Sequence, residues 1–229
     1  MLNLNRLKKE EIIYLYNHRC KHHHRFIEIV HPNCLKEFLK NNNMIQERIG
    51  FLDIESTGFN ADFDYIISYA IYDEQEDKIL GRVLTKKEVL NWKVLDNKLM
   101  KEFCRDVRKF DRLVVYWGKD RRHDLPFLRS RAIKAKADFP LYKEILVTDL
   151  YDICKGKLRL HGYRLEHVCK FLNIPAKQHP LDGDMWLRAK LGDKPGLNYV
   201  WEHNKEDVVS MREVYWTMEK YARNPKVSI

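Results

Sequence analysis

No apolar run in this chain of 229 residues approaches the ~20 residues that a membrane span needs. With 33% of residues charged and a mean hydropathy of −0.55, a soluble protein with no membrane partner is expected. Residues 1–11 are polar and charged and lack the apolar stretch of a secretion signal, so the expected location is intracellular, in the cytoplasm. Cysteine is scarce and odd in number. Five residues favour reduced thiols or a metal site over a disulfide framework. Internal repeats and long low-complexity segments are also missing. What remains is a globular chain with room for one good-sized domain and an appendage. An apolar content of 45% and an aromatic content of 12% suffice for a full core.

Positive charge is in excess: 42 Lys and Arg stand against 33 Asp and Glu, for a formal net charge of +9. This favours polyanionic partners, nucleic acid first; the plainer reading is a basic surface kept for solubility.

Helical periodicity covers residues 4–17, with Leu7, Ile12 or Ile13, Leu15 and Tyr16 as its apolar side. A Cys/His-rich stretch follows, then a short helix over 35–40 and an Asn41-Asn42-Asn43 linker. We expect a small helical N-terminal module over residues 1–43 and a second domain over 44–229. From Arg48 onward strand patterns take over. Residues 49–54, 65–73 and 78–84 are closely spaced with polar turns, as in an antiparallel meander. A helix over 97–109, a buried strand over 112–117, a helix over 125–134 and a short strand over 145–148 come next. Helices over 164–173 and 184–190 and a long one over 197–221 complete the chain. Three strands followed by alternating helices and strands predict a mixed α/β sheet with flanking helices.

The organising stretch is Phe51-Leu52-Asp53-Ile54-Glu55-Ser56-Thr57-Gly58-Phe59. Strand residues two apart share a face, so Asp53 and Glu55 project side by side from an otherwise apolar element. Burying two like charges together is costly unless a cation neutralises them, and hard carboxylate oxygens suit Mg2+ or Mn2+. The plain alternative is an edge strand with its acidic face in water. Asp124 follows a strand end and a Gly and precedes Leu125-Pro126, a context that also suits a helix N-cap. His203 and Asp207 are four apart on the last helix and share its face, as an exposed pair would too.

Jointly, FLDIESTGF, VVYWGKDRRHDLPFLRSRA and HNKEDVVSM resemble the three motifs of the DEDD (DnaQ-like) 3′→5′ exonuclease superfamily. They are most similar to its predicted ribonuclease H-like exonuclease group, and the resemblance covers residues 48–221. It implies a ribonuclease H-like fold, with a three-strand meander followed by two parallel strands and the acids near the sheet centre. It implies that Asp53, Glu55, Asp124 and Asp207 hold two Mg2+ or Mn2+ ions about 3.5–4 Å apart, that His203 steers or deprotonates the attacking water, and that the substrate is single-stranded nucleic acid or a 3′ end, DNA or RNA. One departure stands out. The family places a tyrosine four residues before the last Asp or a histidine five before, whereas here the four-before residue is His203 and the five-before residue is Glu202. One residue rotates a helical side chain by about 100°, so His203 would approach the water differently from the histidine of that family. An endonuclease or structure-selective nuclease on the same fold, and a catalytically silent nucleic-acid-binding module, remain as alternatives.

Thr57, Lys119, Arg121 and Arg122 are candidate nucleic-acid contacts, with Arg129, Arg131, Lys134 and Lys136 on the same basic segment; a solvated helix face is the plainer reading. Tyr116, Trp117, Tyr163 and Trp186 could stack on bases or fill the core. Asp182 and Asp184 read as loop or cap residues, and His161, His167 and His179 have no assignable partner. Near the N-terminus, Cys20, His22, His24, His31 and Cys34 lie within fifteen residues. If residues 20–24 are extended, Cys20, His22 and His24 share one side, and four of the five could hold a structural Zn2+. The alternative is a basic, His-rich loop with two incidental cysteines. Cys104, Cys154 and Cys169 sit at apolar positions and are expected in the core.

Overall fold

Alternation along one strand sets out the larger of two units. The computed structural model describes residues 9–42, 47–142 and 144–222, grouped as Met1–Glu47 and Arg48–Ile229. The expected domain boundary near residue 44 and residues 4–8 of the first expected helix, Leu7 included, lie outside the described residues. Strand β1 (Ile49–Ser56) sends Leu52 and Ile54 into one apolar cluster and Phe51 into another. Asp53 and Glu55 share the parity of Phe51 and so project from the Phe51 face.

Strands β2 (Ile66–Asp73), β3 (Lys78–Val83), β4 (Arg112–Val115) and β5 (Leu146–Asp149) complete a sheet of order β3-β2-β1-β4-β5. The β1/β2 and β2/β3 pairs are antiparallel, and β1/β4 and β4/β5 are parallel. This is the mixed sheet expected. Because β1 is the central strand, the alternative of an acidic edge strand facing water is excluded.

On the Leu52 face pack helices α4 (Asn97–Val107) and α5 (Asp124–Lys134), through Leu99, Met100, Phe103, Leu125 and Leu128. On the Phe51 face pack α6 (Leu150–Lys157), α7 (Leu165–Phe171) and the long α9 (Lys194–Met218). Cys104, Cys154 and Cys169 are buried in these two clusters, as expected; burial pushes their thiols up, to about 11, 12 and 11.

Two helices were not expected from the sequence. The short α3 (Lys86–Leu90) is nucleated by a capping box, in which the Thr85 hydroxyl accepts from Glu88 N–H and the Glu88 carboxylate accepts from Thr85 N–H. The other, α6, is capped by Asp149. The expected strand over 112–117 ends at Val115, because Trp117 turns into a left-handed conformation with φ 59° and lies 46% exposed.

In the smaller unit, α1 (Lys9–Asn17) and α2 (Pro32–Asn41) pack around Leu15, Cys20, Phe26, Leu35 and Leu39. Among the described residues of the expected apolar side of α1, Leu15 is buried and Ile12, Ile13 and Tyr16 are exposed. Residues 20–24 are not extended: they form the turn of a hairpin whose stems pair Arg19 with Arg25.

Candidate active site

The carboxyl ends of parallel strands are where open α/β sheets build sites, and three chain segments converge there. Asp53 and Glu55 stand on the carboxyl half of β1. Asp124 opens α5, which follows β4. On α9, His203, Asn204 and Asp207 are buried, one stripe with Val208 and Met211. That stripe packs on β1 and β2, and places the polar residues over Asp53 and Glu55 while the apolar ones cover Phe51.

The contacts are specific. Asn204 Nδ2 donates to Asp53 Oδ2 at 2.6 Å, and its Oδ1 accepts from Ser68 Oγ at 3.1 Å. His203 Nε2 lies 3.0 Å from Asp207 Oδ2 and 3.5 Å from Glu55 Oε1. Its Nδ1 lies 2.5 Å from the His179 carbonyl; a carbonyl can only accept, so Nδ1 is the donor. The His179 ring is in turn held 2.7 Å from Glu206 Oε1, and Trp186 packs edge-on to the His203 ring with centroids 4.9 Å apart. Lys177 forms an ion pair with Asp207. The exposed His–Asp pair considered above is therefore a buried one, with both residues 7% exposed.

Asp124 does not act as an N-cap: it is the first helical residue, and its Oδ2 is buried without a hydrogen-bond partner among the described residues. Gly118 makes this placement possible, since a Cβ there would lie 2.4 Å from Asp124 Oδ2. Asp149 at the end of β5 fixes the loop that carries Gly118. It accepts from Trp117 N–H at 2.9 Å, Lys119 N–H at 3.1 Å and Tyr151 N–H at 3.1 Å, and pairs with Arg122 Nη1 at 2.7 Å.

The electrostatics follow from crowding. Burial, then Asp207 and Asp124, push Asp53 well above the usual carboxylate range, with Lys177 and His203 opposing. Burial, then Asp53 and Asp207, do the same to Glu55. Burial, with Asp149 and Asp207, pushes Asp124 up to about 8. Burial also raises Asp207, but the His203 hydrogen bond and the Lys177 charge outweigh it, and its net shift is downward. The buried Asp124 oxygen without a donor, with Asp53 and Glu55 also held above the usual carboxylate range, fits a divalent cation held by hard oxygens. Donor atoms of Glu55, His203 and Asp207 all lie within 4.8 Å of one another.

Sequence reasoning missed Asn204, Asp149, Ser68 and Lys177. Asn204 adjoins a motif residue, and Asp149 ends a parallel strand at the same edge as the acids; Lys177 lies on a loop with no motif. Of the candidate nucleic-acid contacts, Thr57 Oγ1 donates to Asp64 at 3.0 Å and accepts from Tyr65 N–H. Lys119 and Arg122 form ion pairs with Asp152, and Arg121 is exposed. Arg131 is not on the rim: it is 3% exposed and bidentate to Asp96. Tyr116 donates to the Tyr163 carbonyl at 2.6 Å and both rings are partly buried. Asp182 caps α8 (Gly183–Lys190), the cap role expected of it. The His161 and His167 rings lie 5.2 Å apart.

A family model described as the RNase_H superfamily matches residues 50–219. No curated protein matches the chain.

Proposed function

Because the chain belongs to the RNase_H superfamily, we propose that it is a divalent-metal-dependent phosphodiester hydrolase of the DEDD (DnaQ-like) type that removes nucleotides from the 3′ end. Membership supports a nuclease acting on nucleic acid, within a ribonuclease H-like fold. The finer reading rests on one observation. Acids from three separate motifs, Asp53, Glu55, Asp124 and Asp207, are close enough for charge on one to raise another, and a histidine contacts two of them.

Asp53, Glu55, Asp124 and Asp207 would hold the ions. Bound there, Mg2+ or Mn2+ supplies Lewis acidity to water and neutralises charge on the scissile phosphate. Asn204 fixes one oxygen of Asp53, and Gly118 lets Asp124 approach. His203 is oriented by its Nδ1 bond to the His179 carbonyl, which turns Nε2 toward Glu55 and Asp207. With Nδ1 keeping its proton, a neutral His203 that has given up its Nε2 hydrogen bond to Asp207 would accept the proton of an attacking water at Nε2. The four-residue spacing supports this role, since one helical turn brings His203 against Asp207.

Lys177 favours a second reading. An ammonium paired with Asp207 supplies part of the neutralising charge from the chain itself, as a silent binding module would. Linear and circular single strands of DNA and RNA, incubated with Mn2+, Mg2+ or chelator, separate the possibilities. Shortening of linear strands from the 3′ end with circles intact is expected. Opened circles would indicate an endonuclease, and no product from any strand a binding module.

A further inference from the structure

The Cys/His residues of the smaller unit are used by nothing described above. Between the paired Arg19 and Arg25 the chain reverses: Cys20 N–H donates to the His24 carbonyl and His23 N–H to the Cys20 carbonyl, both at 2.9 Å. His23 takes φ 66°, in the left-handed region that closes such a turn. The reversal brings His22 N–H to 3.4 Å from Cys20 Sγ, a backbone donor aimed at the sulfur. Helix α2 supplies Cys34 from its first turn, and Leu35 N–H donates to the His31 carbonyl at 3.1 Å, which puts His31 at the mouth of the same helix.

These two elements bring three of the donors, Cys20, His22 and Cys34, to metal-sharing separations, with the His31 ring alongside. Cys34 Sγ is 3.5 Å and Cys20 Sγ 3.9 Å from His22 Nδ1, and the donor atoms of Cys20, His22 and Cys34 all lie within 4.8 Å of one another. In a tetrahedral zinc site with Zn–S ~2.3 Å and Zn–N ~2.0 Å, sulfur and nitrogen ligands sit about 3.5 Å apart. The His31 ring stacks on His22 with centroids 4.3 Å apart. His31 is partly buried, whereas His24 is exposed. Both cysteines are free thiols.

We infer that Cys20, His22, His31 and Cys34 form a structural zinc site of two thiolates and two imidazoles. Soft sulfur with imidazole selects zinc over the hard cations suited to the carboxylates of the larger unit. The site answers a shortage: among the described residues the buried apolar set of this unit is Leu15, Cys20, Phe26, Leu35 and Leu39, and so small a core is ordinarily supplemented by a metal or disulfide. A ligand set drawn from a turn and a helix start joins the two in one folding event. Incidental cysteines would have no reason to meet the same imidazole nitrogen, one from 2 residues before it and the other from 12 residues after it. The inference does not depend on the nuclease reading, because none of the four residues belongs to that site.

The test is metal analysis of the full chain, purified with zinc present and without chelator, alongside the visible spectrum after exchange with Co2+. Wild type is expected to carry one zinc per chain, and Asp53→Asn combined with Asp207→Asn should keep it. Cys20→Ser and Cys34→Ser should lose it. His31→Asn should release it at a chelator concentration that wild type and His24→Asn withstand. The cobalt form should show thiolate-to-metal charge-transfer bands and the intense visible bands of a tetrahedral ion. That spectrum is read on wild type, so it stands even if the cysteine variants fail to fold. Wild type without tightly held zinc, a cobalt form without thiolate bands, or full zinc retention in Cys34→Ser would overturn the assignment.

Discussion

Asp124→Asn should make the protein more stable, but only at alkaline pH and only while divalent cations are withheld. Asp124 is 6% exposed and is pushed from an ordinary 3.8 up to about 8 by burial and by Asp149 and Asp207. Between those values the folded chain keeps a proton that the unfolded chain has lost. Stability therefore falls as pH rises through this window, and the penalty is complete above it. At ~1.4 kcal/mol per pH unit, a span of about 4 units sets an upper limit on the order of 6 kcal/mol. Local rearrangement and water entry should leave about 1–3 kcal/mol to be recovered by the neutral amide. Urea unfolding in chelator at about pH 5 and about pH 9 reads this directly through the midpoint. Wild type and Asp124→Asn should differ little at the acid value, where roughly a quarter of the penalty has accrued, and separate at the alkaline one. Adding Mn2+ should reverse the order, because a cation that binds only the folded state stabilises in proportion to its affinity, and the variant has lost a ligand. Equal midpoints at alkaline pH, or a less stable variant there, would refute the argument that these carboxylates are held together against their own repulsion.

Other consequences are as direct. In Gly118→Ala the new Cβ falls 2.4 Å from Asp124 Oδ2, and a displacement of ~1 Å should lower cleavage by ~100-fold with a far smaller change in unfolding midpoint; unaltered cleavage would remove Asp124 from the site. Arg131→Met strands the fully buried Asp96 and should cost about 3–5 kcal/mol in urea unfolding, part of it recovered by adding Asp96→Asn. Burial raises Glu88, but Arg82 and the Thr85 N–H and hydroxyl outweigh it and bring it from 4.5 down to about 2. Its contribution is thus present above about pH 4.5 and lost toward pH 2, so wild type should lose more thermal stability on acidification than Glu88→Gln.

The central acids were legible because a strand's period of two puts Asp53 and Glu55 on one face whatever covers it, and because a helical turn does the same for His203 and Asp207. The helices α3 and α6 were not, since five and eight residues are too few for periodicity to register; only their caps, Thr85 with Glu88 and Asp149, mark them. Arg131 read as part of a basic rim because charge in a sequence carries no sign of its partner, and Asp96 lies 35 residues away. Trp117 read as strand because its apolar character continues that of Val115, whereas the conformation there is set by Asp149 from a different strand. Residues 20–24 read as extended for a similar reason. Their reversal depends on one left-handed residue, His23, which is not a glycine and so gives no signal. Lys177 enters the site from a loop, and nothing local marks it as the partner of Asp207.

The central claim is that the acids and His203 constitute a metal-dependent cleavage site. Its most direct test is the rate at which a 5′-labelled single strand is shortened in Mn2+ by wild type and by Asp207→Asn, side by side, with chelator as the control. The account predicts a ladder receding from the 3′ end with wild type, abolished by chelator and reduced at least ~1000-fold in the variant, as expected when a group acting on transition-state charge is removed. Cleavage by Asp207→Asn at the wild-type rate, or wild-type cleavage that persists in chelator, would contradict it.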